Sequence, residues 1–398
     1  MENKDFIFTS LQSWDVSIGS TVREIAKEIS KKNRVLFINS PLDIKTFYGK
    51  EKIHETEFRR NVVKSGKVSI RQFNKNIWVI DFPFTVMPVQ FLPDGYLFDL
   101  VNRWNNRKIY TESYKIAKQL GFKNYNLFID NDLYRSFYAA KYLKPLLSIF
   151  YYRDHLQKTY WEKHAPRLRP KICAKSDLVL TNSETFKTLL QPFNPERTYC
   201  VGQGVNLEQF DIKKLHPTPD DIKMISRPII GYTGYLTSIR LDLELIYETA
   251  KSRPNYSFVL VGPEDEIFAK HPLHKLNNVY FLGEKTYDLI PAYIQSFDVC
   301  INPQIVNEVT NGNYPLKVDE YLCMGKPVIV TKTDFMETFD DTCWICTNYR
   351  AYIEAIEEAL QPENNTTEKI ESRTKMAESH SWTHCIERIY EQIKKLQE

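Results

Sequence analysis

The sequence predicts an α/β protein made of two doubly wound domains. Its 398 residues exceed what one hydrophobic core usually serves, and its apolar content of 42% is that of a globular protein. Short β-branched runs alternate with segments of helical spacing through both halves. We expect an N-terminal domain over 1–205, a C-terminal domain over 206–375, and a final helix within 376–398 that packs back on the first domain. In such folds ligands bind beyond the carboxyl ends of the strands.

The first half begins with a strand over 5–10, a polar loop that contains Gly19, a helix over 21–31 and a strand over 34–39. This order indicates a β-loop-α-β unit with parallel strands. The remaining predicted strands of this half lie at 77–81, 126–130, 146–152 and 178–181. Helices are predicted near 97–120, 132–143, 157–175 and 184–191.

The second half follows a Pro-rich stretch at 216–219 and repeats the alternation of strands and helices. Its predicted strands lie at 228–232, 257–261, 279–282, 299–301, 327–331 and 343–347. Its predicted helices lie at 241–252, 286–296, 316–324 and 349–360, and 367–398 indicates terminal helices. The alternation predicts a second doubly wound sheet.

Bulk composition excludes several classes of protein. The net charge of +3 gives no indication of a nucleic-acid partner. No apolar run is long enough to span a bilayer, and the first residues lack the pattern of a secretory signal. Seven dispersed cysteines suggest a reducing cytosol. Cys343 and Cys346 lie three residues apart in a predicted strand, so they face opposite ways and are expected to be inert thiols.

The most informative segment is Asn311–Thr331, which predicts a loop, a short helix, a stop at Gly325 and a buried strand. The free N–H groups at the start of such a helix favour an anion. Lys317 and Glu320 lie one turn apart. A phosphate beside Lys317 would leave Glu320 to accept hydrogen bonds from vicinal hydroxyls, such as those of a ribose. An ordinary exposed ion pair is the alternative.

A second cationic turn is predicted at 230–240. There a strand leads through Gly231 and Gly234 to Arg240, just before a helix. Glycines let a backbone approach a ligand closely, and the forked guanidinium suits a diphosphate. On its own this segment could equally be a loop with an exposed arginine.

Together the two turns resemble the retaining GT-B glycosyltransferases of the family 4 type. The resemblance covers most of the chain and is strongest over 200–360. It is carried by Gly204–Phe210, Phe258–Pro263, Asn278–Gly283 and, most specifically, Pro315–Val330. It implies a GT-B fold, in which two Rossmann-like domains face each other across a cleft. It also implies transfer of a hexose from a UDP- or GDP-sugar to a glycan or lipid-linked acceptor, without a metal, in cell-surface polysaccharide synthesis.

The resemblance implies roles for residues around the diphosphate. Arg240 falls where the family commonly has a phosphate-binding lysine, whereas Tyr235 replaces a usual second cation and Lys317 supplies part of its charge. Glu320 matches the second acid of the family's Glu-x7-Glu motif and would bind the ribose. We assign Arg240, Lys317 and the start of helix 316–324 to stabilising the leaving phosphate.

Other implied positions are less direct. The motif's first acid falls at Gly312, so contacts to the sugar hydroxyls would pass to Glu308, Asn311 or Asn313. Gly283 and Tyr287 lie where the base pocket tends to form, although Tyr287 could equally be a surface aromatic. Gly19 resembles the glycine-rich loop beside the transferred sugar. As a plain loop, the same segment would let Ser20 cap the following helix.

On the acceptor side, a strand ends at Arg153, Asp154 and His155. Asp154 or His155 could position or deprotonate an acceptor hydroxyl, and a salt bridge at the domain interface is the alternative. Asp130 and Asp132 have the spacing of a metal motif but lie in the acceptor domain, so no metal is expected.

The stretch 158–175 carries six Lys or Arg and is edged by Tyr160 and Trp161. It could lie on an anionic membrane, or it could be a solvated helix face or the rim of a nucleotide channel. We therefore expect a cytoplasmic protein, with the inner face of the membrane as one place of action.

Two other functions fit the same fold. One is epimerisation of a sugar nucleotide with hydrolysis, and the other is nucleotide binding without catalysis. A Rossmann dehydrogenase is disfavoured because no G-x-G-x-x-G follows a strand.

Overall fold

The computed structural model describes residues 1–16, 19–49, 54–155, 163–307 and 310–397. The chain divides into two compact units, one of residues 1–201 with 386–398 and one of residues 202–385. Each unit is an α/β layer structure around its own sheet.

The described part of the first unit contains an eight-stranded sheet in the order β3-β4-β2-β1-β5-β6-β7-β8. Its strands are β1 Asp5–Ser10, β2 Arg34–Ile38, β3 Ser69–Asn74, β4 Ile77–Asp81, β5 Asn126–Asp130, β6 Leu147–Tyr152, β7 Leu178–Thr181 and β8 Thr198–Cys200. All neighbours pair in parallel except β3, which is antiparallel to β4. The register aligns Ser10 with Asp130 and Asp130 with Tyr151, so the carboxyl ends of three central strands share one edge.

Helices cover the faces of this sheet. They are α1 Thr21–Ser30, α2 Ile44–Tyr48, α3 His54–Ser65, α4 Tyr96–Gln119, α5 Ala139–Leu143, α6 Ala165–Lys175 and α7 Glu184–Leu190. The predicted face of α1 is confirmed, because Val22, Ile25, Ala26 and Ile29 are all fully buried.

The described part of the second unit holds a six-stranded parallel sheet in the order β11-β10-β9-β12-β13-β14. Its strands are β9 Ile229–Thr233, β10 Ser257–Val261, β11 Val279–Gly283, β12 Val299–Asn302, β13 Val328–Thr331 and β14 Cys343–Cys346. Its helices are α8 Leu243–Ser252, α9 Ile290–Ser296, α10 Leu316–Cys323, α11 Tyr349–Ala359 and α12 Thr367–Ser379. The last helix, α13 Trp382–Lys395, begins in this unit and ends in the first.

Separate apolar clusters lie on the two faces of this sheet. Val318, Tyr321 and Leu322 of α10 belong to the same cluster as Cys300 and Val330 of the strands. Gly325 ends the helix at φ +67°, where its N–H bonds to Leu322 O at 2.9 Å, as the predicted stop requires. The helix is therefore held against the sheet by one apolar face.

The segment 132–143 departs from the predicted helix. The carboxylate of Asp132 accepts the N–H groups of Tyr134 and Arg135 at 3.0 Å each, so turns fill this stretch and the helix begins only at Ala139. The predicted capping role of Ser20 is also wrong, because its hydroxyl donates to Gln12 Oε1 at 3.0 Å and makes no cap bond. Residues 157–162 of the predicted helix 157–175 lie outside the described part.

Cys343 and Cys346 are buried in the clusters on opposite faces of the second sheet, as the strand alternation predicts. Burial raises the pKa of the Cys346 thiol to about 12, so neither a disulfide between the two nor a reactive thiolate is favoured. None of the helices among the described residues has the length and apolarity that crossing a bilayer requires.

Candidate functional site

The site of the second unit starts where β9 ends. Gly234 has φ +139°, and a Cβ there would lie 2.8 Å from Lys317 Nζ. Gly262 follows β10 with φ +152°, and a Cβ there would lie only 1.9 Å from Gly234 O. Both turns therefore need glycine, and they bring the backbone of the 230–240 segment against the lysine of α10. The two predicted segments lie side by side.

Lys317 is half-buried at the start of α10. Its Nζ lies 4.0 Å from the ring centroid of Tyr232 and donates a hydrogen bond to the hydroxyl of the same tyrosine. This tyrosine belongs to the buried strand β9, and sequence analysis missed its role. The sequence signal that could have indicated this role is a tyrosine, with its polar hydroxyl, near the carboxyl end of an otherwise apolar strand.

The surroundings of Lys317 disfavour its positive charge. Burial and, to a smaller extent, the nearby positive charge of Arg240 lower the pKa of its ammonium group to about 7, although Glu320 acts in the opposite direction. Because Arg240 contributes to this pKa shift, Arg240 and Lys317 lie close enough for their charges to interact. An anion with two negative charges placed there would reverse the shift.

Arg240 lies in the turn before α8. Its N–H bonds to Thr237 O and its carbonyl accepts from Ile305 N, both at 3.0 Å. The carboxylate of Asp242 caps α8 by accepting the N–H of Leu245 at 2.9 Å. The backbone on either side of the arginine is thus fixed.

Glu320 lies one turn further along α10 and is 7% exposed. The hydroxyl of Tyr287 donates to its Oε1 at 2.9 Å. Burial raises the pKa of the carboxyl to about 7, while this hydrogen bond and Lys317 act in the opposite direction. Tyr287 also packs edge-on against Phe210, so it is part of the site and not an isolated surface aromatic.

The opposite face of α10 carries a buried polar network that sequence analysis missed. Asp319 is fully buried, accepts a hydrogen bond from the hydroxyl of Tyr314, and lies with its Oδ1 2.9 Å from His380 Nδ1. Burial raises the pKa of this carboxyl above its ordinary value. On the sheet side, Thr233 N donates to Tyr321 Oη at 2.8 Å. These contacts fix the orientation of the helix that presents Lys317 and Glu320.

The loop before α10 carries the residues predicted to substitute for the missing acid. The side-chain amide of Asn311 is paired with Asp334 in both directions, at 2.7 and 3.1 Å. Asn313 is 4% exposed, and its Oδ1 has no hydrogen-bond partner among the described residues. Glu308 lies outside those residues. The buried Oδ1 of Asn313 can still accept a hydrogen bond from a ligand hydroxyl, whereas the side chain of Asn311 is already bonded to Asp334. Gly283 lies at the exposed end of β11 with φ +69°.

A second cluster lies at the carboxyl edge of the first unit's sheet. Arg153 is 9% exposed and forms a double hydrogen bond with Asp130, at 2.8 Å through Nε and 3.2 Å through Nη2. Its Nη1 donates to Asp154 at 2.5 Å. Burial opposes the charge of Arg153, but the two carboxylates outweigh it and raise the pKa of the guanidinium. Arg153 and Asp130 are therefore committed to each other, and Asp154 is the more exposed member.

The loop of Gly19 belongs to this same cluster. Ser20, directly after it, donates to Gln12 Oε1, which also accepts from Arg153 Nη2 at 3.1 Å. His155 Nδ1 lies 3.1 Å from the hydroxyl of Tyr152. Residues 17 and 18 of the predicted glycine loop lie outside the described part of the chain.

The Asp130–Asp132 pair does not present free carboxylates. Asp130 is held by Arg153 and by Ser10, whose hydroxyl donates to it at 2.6 Å, and Asp132 Oδ2 accepts from Ser136 at 2.7 Å. Over the described ranges, no group of three or more His, Cys, Asp or Glu could hold a metal ion.

A family similarity is found within the second unit. Residues 227–362 match the family Glycosyl transferases group 1. The putative teichuronic acid biosynthesis glycosyltransferase TuaH of Bacillus subtilis (strain 168) is 30% identical over 140 residues, which are 34% of this chain. The match also spans only about a third of TuaH, 34% of its length.

Solved structures resemble the whole chain. Anabaena HepE in complex with UDP has a TM-score of 0.67 at 16% identity, covering 98% of this chain and 100% of its own. HepE in complex with UDP-glucose gives 0.66 at 15%, covering 98% and 99%. Sucrose-phosphate synthase from Thermosynechococcus elongatus gives 0.70 at 14%, covering 99% of each chain.

The fold and these similarities define a GT-B protein, which confirms the predicted fold class. Residues 227–362 of its C-terminal unit are similar to the group 1 glycosyl transferases, and the predicted resemblance to the GT-B glycosyltransferases is confirmed.

Proposed function

We propose that this protein transfers a hexose from a nucleotide diphosphate sugar to a glycan or lipid-linked acceptor. The observation that carries the proposal is the proximity of two cations, Lys317 at the start of α10 and Arg240 in the turn before α8, with Glu320 one helical turn from the lysine. Burial and repulsion by Arg240 lower the pKa of Lys317 to about 7, and the negative charge of a bound diphosphate would restore its positive charge. Enzymes of many folds stabilise a leaving phosphate with such fixed cations.

In the proposed reaction, the bond between C1 of the sugar and the diphosphate oxygen breaks and the acceptor oxygen bonds to C1. The proton of the acceptor hydroxyl passes to an oxygen of the leaving diphosphate. Negative charge then grows on the leaving phosphate, where Lys317, Arg240 and the N–H groups of the first turn of α10 stabilise it. Because these groups supply the positive charge, we propose that the transfer needs no metal. We also propose retention at C1, on the basis of the family resemblance.

Glu320 and Asn313 supply the polar contacts to hydroxyls in this proposal. The carboxylate of Glu320 is held by Tyr287 and would accept from the two ribose hydroxyls. The unpartnered Oδ1 of Asn313 would accept from a hydroxyl of the transferred hexose. Gly283 and the ring of Tyr287 would line the base pocket.

A UDP-sugar is the donor that we favour over a GDP-sugar, because HepE structures contain UDP and UDP-glucose. The similarity to TuaH, described as a teichuronic acid biosynthesis glycosyltransferase, supports an acceptor in cell-surface polysaccharide synthesis. We propose that Asp154 positions the acceptor hydroxyl, with Arg153, Asp130 and His155 holding it in place. A cytoplasmic site of action fits this role.

The test is release of free UDP or GDP from a panel of nucleotide sugars, with and without EDTA. Release of one nucleotide that EDTA does not change supports the proposal. Arg240→Ala and Glu320→Ala should each lower activity at least tenfold without unfolding the protein. Arg197→Ala, an exposed arginine of the first unit, is the matched control and should retain full activity.

Three outcomes would overturn parts of the proposal. Near-wild-type rates for both site variants would remove the site assignment. Release of nucleotide together with an epimerised free sugar would indicate the epimerase, and binding without any release would indicate a non-catalytic protein. NMR of the anomeric carbon in the product tests retention.

A further inference from the structure

A surface of the first unit, which we call the α4 face, exposes large apolar side chains. Four lie on one side of the first turns of α4: Tyr96, Leu97, Leu100 and Trp104, of which Tyr96 is 83% exposed and the other three about half. Leu100 lies three to four residues after Leu97 and Tyr96, and Trp104 lies four residues after Leu100, so all four are on one helical stripe. The loop before the helix adds Phe91, 58% exposed, and Met87, 42% exposed.

The loop is held in place beside the helix. Asn105 of α4 is 3% exposed, and its amide bonds to Met87 N at 3.0 Å and to Met87 O at 2.8 Å. The apolar side chains of the loop therefore stand on a backbone that is fixed to α4.

Positive charge surrounds the α4 face. Arg103 and Arg107 are exposed on α4 itself, and over the described ranges neither has a carboxylate within ion-pair distance. Lys45 Nζ lies 5.1 Å from the ring centroid of Phe91, and Lys108 Nζ lies 5.5 Å from that of Trp104.

The neighbouring acids, Asp94 and Asp99, share one arginine. Arg167 donates to Asp94 at 2.8 Å and to both oxygens of Asp99 at 3.0 Å each, and His164 Nδ1 also lies 3.0 Å from Asp94. The cations at this face still outnumber the acids, since Lys45, Arg103, Arg107, Lys108 and Arg167 face only Asp94 and Asp99.

The basic stretch 158–175 is less available for a membrane than its sequence suggested. Besides the pairing of Arg167, Arg169 lies over the ring of Tyr152 at 5.4 Å, and Lys175 donates to Phe137 O. Residues 156–162 lie outside the described part, so the surface role predicted for the whole stretch stays a prediction.

We propose that the α4 face docks this protein on an anionic phospholipid bilayer. Tyr and Trp suit the boundary between headgroups and acyl chains, leucines enter the acyl region, and arginines and lysines attract anionic lipid. A second copy is a poor occupant, because a two-fold contact through this face would bring the arginines of both copies together.

The proposal deepens the proposed function, since it names the place where a lipid-linked acceptor would be met. α4 begins after β4, and its first turn is therefore at the carboxyl edge of the sheet, where Asp130 and Arg153 also lie. Lipid binding is measured without donor or acceptor, so its failure would leave the transfer reaction intact.

The experiment is co-sedimentation of the full chain with sucrose-loaded vesicles of phosphatidylcholine alone or mixed 7:3 with phosphatidylglycerol. We expect binding to the anionic vesicles that falls with added salt. Arg103→Gln with Arg107→Gln should weaken it about 25-fold, or about fivefold per charge. Leu100→Glu with Trp104→Glu should abolish it. Leu146→Glu, at a similarly exposed leucine before β6, is the control and should bind like wild type.

A second measurement uses brominated lipids to quench tryptophan fluorescence. Trp104→Phe should remove most of the quenching while the vesicles still sediment the protein. This arm does not depend on whether the glutamate variants fold.

Three results would overturn the proposal: no sedimentation with anionic vesicles, equal loss of binding in the Leu146 control, or quenching unchanged by Trp104→Phe. Self-association in analytical ultracentrifugation that the glutamate variants disperse in the absence of lipid would assign the face to a protein contact instead.

Discussion

Donor binding should bring a proton to Lys317. In the free protein, burial and Arg240 lower the pKa of this ammonium group to about 7. A bound diphosphate replaces the missing negative charge and should return the pKa towards the ordinary value of about 10.4. The proton comes from the buffer, so the effect can be measured directly.

The size of the effect follows from the two pKa values. At pH 8 only about one tenth of the free protein carries the proton on Lys317, so binding should take up about 0.9 proton per donor. Affinity should fall about 50-fold between pH 7 and pH 9, because the fraction of Lys317 that carries the proton falls by that factor. Glu320, with a pKa also near 7, is already about nine-tenths ionised at pH 8 and contributes little.

Isothermal titration calorimetry of a nucleotide sugar at pH 8, in buffers of different ionisation enthalpy, gives the proton count. Lys317→Arg keeps a charge at every pH, so its affinity should no longer fall between pH 7 and pH 9. Lys317→Met should bind donor at least tenfold more weakly. It should also be more stable below pH 7, by at most about 5 kcal/mol, because it no longer buries a charge. The reasoning fails if wild type takes up no proton, or if Lys317→Met takes up as many as wild type.

Three other substitutions test neighbouring contacts. Tyr287→Phe removes the hydrogen bond that favours ionised Glu320, so the acid limb of kcat/KM against pH should move up by about one unit, and an unchanged limb would contradict the assignment. Gly234→Ala puts a Cβ 2.8 Å from the ammonium nitrogen of α10 at φ +139°, which should cost about 1–3 kcal/mol in urea unfolding and weaken donor binding; wild-type behaviour in both would refute it. Arg153→Met leaves buried Asp130 without its cation, and urea unfolding should show a loss of about 3–5 kcal/mol, with a loss below 1 kcal/mol excluding a structural ion pair.

The strands were the most predictable part of this fold. β5 and β10 match their predicted bounds because each is a short apolar run buried on both faces, between polar turns. β3 was missed since it is an edge strand with mostly exposed residues, and its pairing with β4 depends on a neighbour and not on its own pattern. The helix predicted from 132 failed at Asp132, whose carboxylate takes the N–H groups that a helix would need.

The candidate site was predictable only as far as local spacing reaches. Lys317 and Glu320 are one turn apart on any helix, so the sequence could place them on one face. The contact of Lys317 with Tyr232 joins residues 85 positions apart, and no periodicity encodes it. The acceptor side shows the same limit, because the sequence placed Arg153 and Asp130 at strand ends but could not show that they neutralise each other.

The network behind α10 explains why the helix can present two groups with perturbed pKa values. A helix of eight residues has little stability of its own, so its position must come from tertiary contacts. Tyr321 ties one side to β9, and the Asp319–His380 pair ties the other to the segment between α12 and α13. Contacts on the other faces of the same helix thus offset the unfavourable free energy of burying Lys317 and Glu320. A site held this way needs no rearrangement of the helix when a diphosphate arrives, which is the condition for efficient electrostatic stabilisation of a leaving group.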